Sequence, residues 1–175
     1  MSQAEIFVGM GELAATAVAR EVLITLGLGS CVGIALVDPS GHAAGLAHVM
    51  FPQSRKLHVA QPGKYADTAV GALLAALARL GSPRSRICAV IAGGARMFAF
   101  EAAGSSDIGA ANLRATHDAL AKAGIPVYAS ATGGSTGRSI RILAADGVVR
   151  LRQGGVDSEL YRPAAVVLKR AADDS

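Results

Sequence analysis

The stretch Glu21–Met50, EVLITLGLGSCVGIALVDPSGHAAGLAHVM, decides the fold. It contains three short runs rich in Val, Ile and Leu: EVLITLG at Glu21–Gly27, CVGIALVD at Cys31–Asp38 and AAGLAHVM at Ala43–Met50. Turn residues separate them, so they read as three successive strands. Pro39-Ser40-Gly41-His42 carries the chemistry of a tight hairpin, because proline presets its own φ and glycine tolerates a positive one. Strands two and three are therefore expected to be antiparallel neighbours. If the turn closes over an even number of loop residues, Leu36 pairs with Gly45 and His48 falls opposite Gly33. Side chains alternate along a strand, so Cys31 and Gly33 share a face, and His48 lies diagonal to Cys31 on that face. An odd loop would put the two on opposite faces.

Beyond this hairpin, Ala66, Val70, Leu73, Leu77 and Leu80 recur at three- and four-residue steps, which predicts an amphipathic helix over Tyr65–Leu80 ending at Gly81 and Pro83. A second helix is predicted over Ile108–Ala123, with Asp107 as N-cap, Leu113, Thr116 and Leu120 on one face, and Gly124 as its stop. Between the helices, Arg86–Ala92 reads as a buried strand because its core ICAVIA is continuously apolar. Ser139–Ala144 and Val148–Arg152 form a hairpin about Asp146-Gly147. Its faces separate Ile140, Ile142, Val149 and Leu151 from Arg141, Arg150 and Arg152, which read as a solvated face. Ala171–Ser175 reads as a frayed tail. With no repeat or linker, residues 1–175 are expected to form one domain of α+β class, two main helices packed on a mixed or antiparallel sheet.

Composition narrows the function classes. Apolar residues make up 51% of the 175-residue chain but aromatics only 4%, so the core is built from small side chains. No run approaches the roughly 18 uninterrupted apolar residues of a membrane span, and MSQAEIFVGM does not begin as a secretory leader does. A cytoplasmic protein is expected. The net charge of +4 is modest and its basic residues are scattered without interleaved aromatics, which argues against nucleic acid. Neither Gly93-Gly94 nor Gly133-Gly134 continues into the Gly-Lys-Ser/Thr of a phosphate loop. No Cys and His pair has zinc-site spacing and the carboxylates are dispersed, so neither a metal nor a cofactor is expected.

The chemistry concentrates in TLGLGSC at Thr25–Cys31. Two glycines just before a cysteine permit an unusual backbone turn and leave amides unshielded, at Gly29 and Ser30 in particular, to face a developing oxyanion. A free thiol is a weak nucleophile at neutral pH and needs a neighbouring base; His48 is the candidate. Taken alone, either residue is more often a structural side chain, a small hydrophobe for Cys31 and a satisfied core histidine for His48. Cys88 sits in an apolar run and reads as inert, while His42, His58 and His117 lie in polar surroundings that solvent exposure explains.

Five blocks in order resemble the CheD family of chemoreceptor glutamine deamidases: TLGLGSCVGIALVDP at Thr25–Pro39, GLAHVMFP at Gly45–Pro52, PGKYADTAV at Pro62–Val70, IAGGARMF at Ile91–Phe98 and TGGSTGRSIRI at Thr132–Ile142. The resemblance implies Cys31 as nucleophile, His48 as general base and acid, and Thr25 as the residue that orients the imidazole. It also implies an αββ layered fold similar to deamidating toxin catalytic domains, chemoreceptors (methyl-accepting chemotaxis proteins) as substrate, and a CheC-type phosphatase as partner. One departure stands out: Ala111 occupies the position where the family usually has Arg before the Asn. Two other readings of the same residues are a non-catalytic adaptor that binds receptors and the phosphatase, and an amidase for a small free substrate.

Overall fold

The computed structural model describes residues 2–40, 42–97 and 107–164. The elements run β1 (Ala4–Phe7), β2 (Leu13–Thr16), β3 (Glu21–Leu28), β4 (Val32–Asp38), β5 (Ala43–Val49), α1 (Ala66–Arg79), β6 (Cys88–Gly93), α2 (Ile108–Ala123), β7 (Val127–Thr132), β8 (Arg138–Leu143), β9 (Val149–Gln153) and β10 (Val156–Tyr161). They build two five-stranded sheets, β1-β3-β8-β9-β10 and β2-β5-β4-β6-β7. Both are mixed, with one parallel pair each, β1–β3 and β6–β7. The α+β class holds. The residue pattern alone suggests one sheet, whereas the αββ layering implied by the resemblance matches the two sheets found; β3 pairs with β1 and β8 and not with β4, the strand that follows it.

The layers are α-β-β. One core, with Val32, Ile34, Leu36, Ala47, Val49 and Ile91 of the second sheet, packs against Val70, Leu73, Leu77 and Leu120 of the helices. The other, with Ala35, Val37, Leu46, Val90 and Ala92, packs against Leu23, Ile140, Ile142 and Val149 of the first sheet. Alternation along β4 and β5 thus sends one set of side chains to the helices and the other to the facing sheet. Every residue of β4, β5 and β6 is buried for that reason, which explains why these runs are continuously apolar and do not alternate.

Helix α2 begins and ends as its sequence predicts. The Asp107 side chain accepts from Ala110 N at 3.1 Å, and Gly124 takes the left-handed conformation, φ 72°, that closes the helix. In the β4–β5 turn His42 carries the positive φ, 50°; Gly41, expected to supply it, falls outside the described residues, as do Phe98 and the tail 171–175.

Candidate active site

The β4–β5 register is the one an even loop predicts: Leu36 pairs with Gly45, and Gly33 with His48. Gly33 and His48 both face the gap between the sheets. A Cβ on Gly33 would lie 2.8 Å from Leu28 Cδ1 and 3.1 Å from Ile140 Cδ1, so glycine here lets these core methyls pack onto β4 without being displaced. Cys31, two residues earlier on the same face, packs at the edge of the inter-sheet core and stays half-exposed.

Across that gap, β3 supplies Thr25. Its hydroxyl lies 2.7 Å from His48 Nδ1 and donates to Val8 O, also at 2.7 Å. A hydroxyl has one proton, and the Val8 carbonyl can only accept it; Thr25 Oγ1 must therefore accept from Nδ1–H. That fixes the neutral imidazole with its lone pair on Nε2. Thr25 and His48 are each 1% exposed, and Nε2 has no hydrogen-bond partner among the described residues. The arrangement is an oriented imidazole whose Nε2 is left without a partner among the described residues. The Cys31 thiol is not hydrogen-bonded to it here, and such contacts commonly close only with substrate in place.

Burial raises the Cys31 pKa, an effect its own backbone N–H partly opposes, and burial lowers that of His48. Both shifts disfavour the charged forms. Burial thereby favours the neutral form of each group.

The Cys31 turn is strapped from the other side by the residues that follow β6. Ala95 N–H donates to Gly29 O and Gly94 N–H to Cys31 O, each at 2.8 Å. Gly93 makes the approach possible: its φ is 108°, and a Cβ there would lie 2.2 Å from Cys31 O. Gly133 N–H in turn holds Gly93 O at 3.0 Å, Arg96 N–H donates to Gly134 O at 2.8 Å, and the Arg138 guanidinium donates to Gly133 O at 2.8 Å. The two glycine pairs that fail as phosphate loops are thus the scaffold of the cysteine turn. Asn112 Nδ2 of α2 donates to Ser30 O at 2.9 Å. Across a planar trans peptide the C=O and the following N–H point in opposite directions. Of the two amides singled out from the sequence, the Gly29 N–H already donates to Gly27 O at 3.1 Å; with Gly29 O and Ser30 O held by Ala95 and Asn112, the Ser30 and Cys31 N–H groups point away from these anchors.

Cys88 is buried and its thiol donates to Tyr161 Oη at 3.4 Å. His42 lies in the β4–β5 turn, with Nδ1 2.7 Å from Ala145 O, at the opposite end of the strands from His48. Among the described residues no cluster of His, Cys, Asp and Glu could hold a metal ion, and no helix is long and apolar enough to cross a membrane. Segment 53–63 borders the His48 side: Gly63 lies against Gly11 and Glu12, and Gly11 N–H donates to His48 O at 2.9 Å. The role of Asn112 is not evident from the sequence. Its signal is a pair of polar residues, Asn112 and Thr116, at helical spacing on the buried face of α2.

The structure thus combines an α-β-β sandwich, a glycine-flanked cysteine at the edge of the inter-sheet core and a histidine oriented by Thr25. The model of a family described as CheD chemotactic sensory transduction matches residues 50–153, starting just past His48. A relative from Methanococcus vannielii, named "Probable chemoreceptor glutamine deamidase CheD", is 46% identical over 127 residues, covering 73% of this chain and 82% of its own. Relatives of the same name from Clostridium novyi and Archaeoglobus fulgidus are 39% and 44% identical, covering 89% and 86% of this chain and 97% and 96% of their own. The Clostridium match leaves so few residues uncovered that it spans Thr25, Cys31 and His48. Among solved structures, Neisseria meningitidis protein NMB0706 gives a TM-score of 0.45 at 11% identity over 76% of this chain and 64% of that one. The chain belongs to the CheD family.

Proposed function

We propose that this chain is a cytoplasmic chemoreceptor glutamine deamidase, acting as one domain over residues 1–175 through a thiol mechanism and without a cofactor. The observation that carries the reading is the chain of hydrogen bonds from His48 Nδ1 through Thr25 Oγ1 to Val8 O, which leaves Nε2 as a base. Family membership and the relatives' names supply the substrate class.

In this mechanism a receptor glutamine enters beside Cys31, and His48 Nε2 takes the thiol proton as Sγ attacks the side-chain carbonyl carbon. The C–S bond forms and the carbonyl π pair moves onto oxygen, where the Ser30 and Cys31 N–H groups stabilise it. Collapse of this intermediate breaks the C–N bond. The imidazolium returns its proton to the departing nitrogen, and ammonia leaves a thioester on Cys31. A water then gives His48 a proton and attacks the thioester; glutamate departs and the thiol is restored. Since burial disfavours both the thiolate and the imidazolium, proton transfer is coupled to attack and does not precede it.

A glutamine carried on a folded receptor helix needs an accessible nucleophile, and the half-exposed Cys31 meets that need. A CheC-type phosphatase is the further partner this reading carries; if it seats on the rim formed by segment 53–63 it competes with receptor, and if on the Arg141, Arg150 and Arg152 face it does not. The test is mass spectrometry of a receptor cytoplasmic fragment incubated with the wild type and with Cys31→Ala. The expected result is the mass gain of amide-to-acid conversion with the wild type and none with the variant. Binding of receptor with no conversion by the wild type would overturn deamidation and leave an adaptor.

A further inference from the structure

We infer that Asn112 is a positioning residue that sets the separation between the nucleophile turn and the base strand; the inference rests on the Cys31–His48 reading above. The Asn112 side chain is fully buried and its Nδ2 makes two hydrogen bonds, to Ser30 O at 2.9 Å and to Met50 O at 3.0 Å. Ser30 immediately precedes Cys31, and Met50 is two residues past His48. One amide group therefore joins the turn that carries the thiol to the end of the strand that carries the imidazole. The β4–β5 ladder already pairs Val32 with Val49, but a ladder constrains strands, and Cys31 and Met50 both lie just beyond its last pair. Asn112 closes the ladder from outside, where no backbone pairing continues.

Helix α2 is placed rigidly enough for this. Its first turn presses on the same strap that holds the cysteine turn: a Cβ on Gly109 would lie 2.6 Å from Ala95 O and 2.8 Å from Gly94 O. One helical turn later comes Asn112. The Gly29–Cys31 carbonyls are thus held in succession by Ala95 N, Asn112 Nδ2 and Gly94 N, with Asn112 the single side chain among them. The other end of the amide, Oδ1, is buried without a hydrogen-bond partner among the described residues. Keeping a buried, half-satisfied amide carries a cost that an apolar side chain at this core position would avoid. The side chain is explained by what its Nδ2 holds.

A misplacement of reacting groups by about 1 Å lowers turnover by about a hundredfold. Asn112→Asp keeps the shape but turns an oxygen toward two carbonyl oxygens, and Asn112→Ala removes the bridge altogether. Both variants are expected to lower kcat by about 10- to 100-fold with KM changed by less than about threefold. The readout that a merely structural role would not move is the pH profile of Cys31 alkylation by iodoacetamide, taken on variants whose circular dichroism matches the wild type. It should shift toward the profile of His48→Ala. In the wild type, both Nδ2 protons should be protected from exchange by NMR, and their resonances should move when Cys31 is alkylated; this measurement stands even if both variants unfold. Folded variants with wild-type kcat and alkylation profile, or freely exchanging Nδ2 protons, would overturn the inference. Full activity of Cys31→Ala would instead overturn the nucleophile reading beneath it, so the two failures are distinguishable.

Discussion

Thr25→Val is the sharpest test of the site, because it exchanges a hydroxyl for a methyl of nearly the same size at a residue 1% exposed. Two hydrogen bonds of 2.7 Å disappear together, leaving Val8 O without its donor and His48 Nδ1–H without its acceptor. Each buried polar group left unpaired costs about 1–3 kcal/mol, so the variant should lose about 2–6 kcal/mol. A domain of this size loses about 2–4 °C of melting temperature per kcal/mol, which puts the shift at about 4–24 °C. Typical total stability is about 5–15 kcal/mol, so the protein should remain folded at room temperature unless it starts near the low end. The functional loss has a separate origin. Without an acceptor opposite Nδ1 the imidazole proton is free to move to Nε2, which removes the lone pair that accepts the thiol proton, and turnover should fall by about tenfold to a thousandfold. Thr25→Ser keeps the oxygen and should recover most of that loss. The assay is receptor deamidation by mass spectrometry beside thermal denaturation by circular dichroism. Turnover unchanged in a folded Thr25→Val, or equally depressed in a folded Thr25→Ser, would refute the tautomer argument and leave Thr25 a packing residue.

Four further outcomes are expected. Iodoacetamide should label the half-exposed Cys31 in the native protein before the buried Cys88; peptide mapping that finds Cys88 first would reject Cys31 as the reactive thiol. Losses from Cys31→Ala and His48→Ala should be strongly non-additive, with the double variant little worse than either single one, and multiplicative losses would dissolve the pair. Gly93→Ala places a Cβ against Cys31 O in a backbone conformation unfavourable to L side chains; a wild-type melting temperature and turnover would contradict the strap. For pH, the His48 pKa is lowered by burial from 6.5, so below that value the unfolded chain binds a proton that the folded chain refuses. Stability is full above pH 6.5 and is lost as pH falls toward the lowered folded-state value. A His48→Gln variant should show a shallower decline there in denaturant titrations, and parallel curves would exclude this linkage.

Local sequence determined the elements that carry their own pattern. The 3.6-residue period fixed α1, and the Asp107 and Gly124 signals fixed α2 to its ends. Turn chemistry between Asp38 and Ala43 marked the β4–β5 hairpin but left two registers open, and the structure chose the one that sets His48 opposite Gly33 and on the face of Cys31. Alternation reduced the placement to two choices, because side-chain direction in a paired strand has only two values. The strands that left no readable signal, β1, β2, β7 and β10, are all the outermost strands of the two sheets. They are short or half-exposed, and β10 is largely polar; pairing with a preformed neighbour holds them, since intrinsic pattern does not. Tertiary structure decided the rest. Thr25 reaches His48 because β3 belongs to the other sheet and the two sheets pack face to face, a contact across 23 positions of sequence that no local period encodes. Asn112 lies farther still, 82 positions from Ser30 and 62 from Met50. Its amide gains meaning only once the helix layer has packed, because a hydrogen bond between distant segments depends on where the layers bring them together.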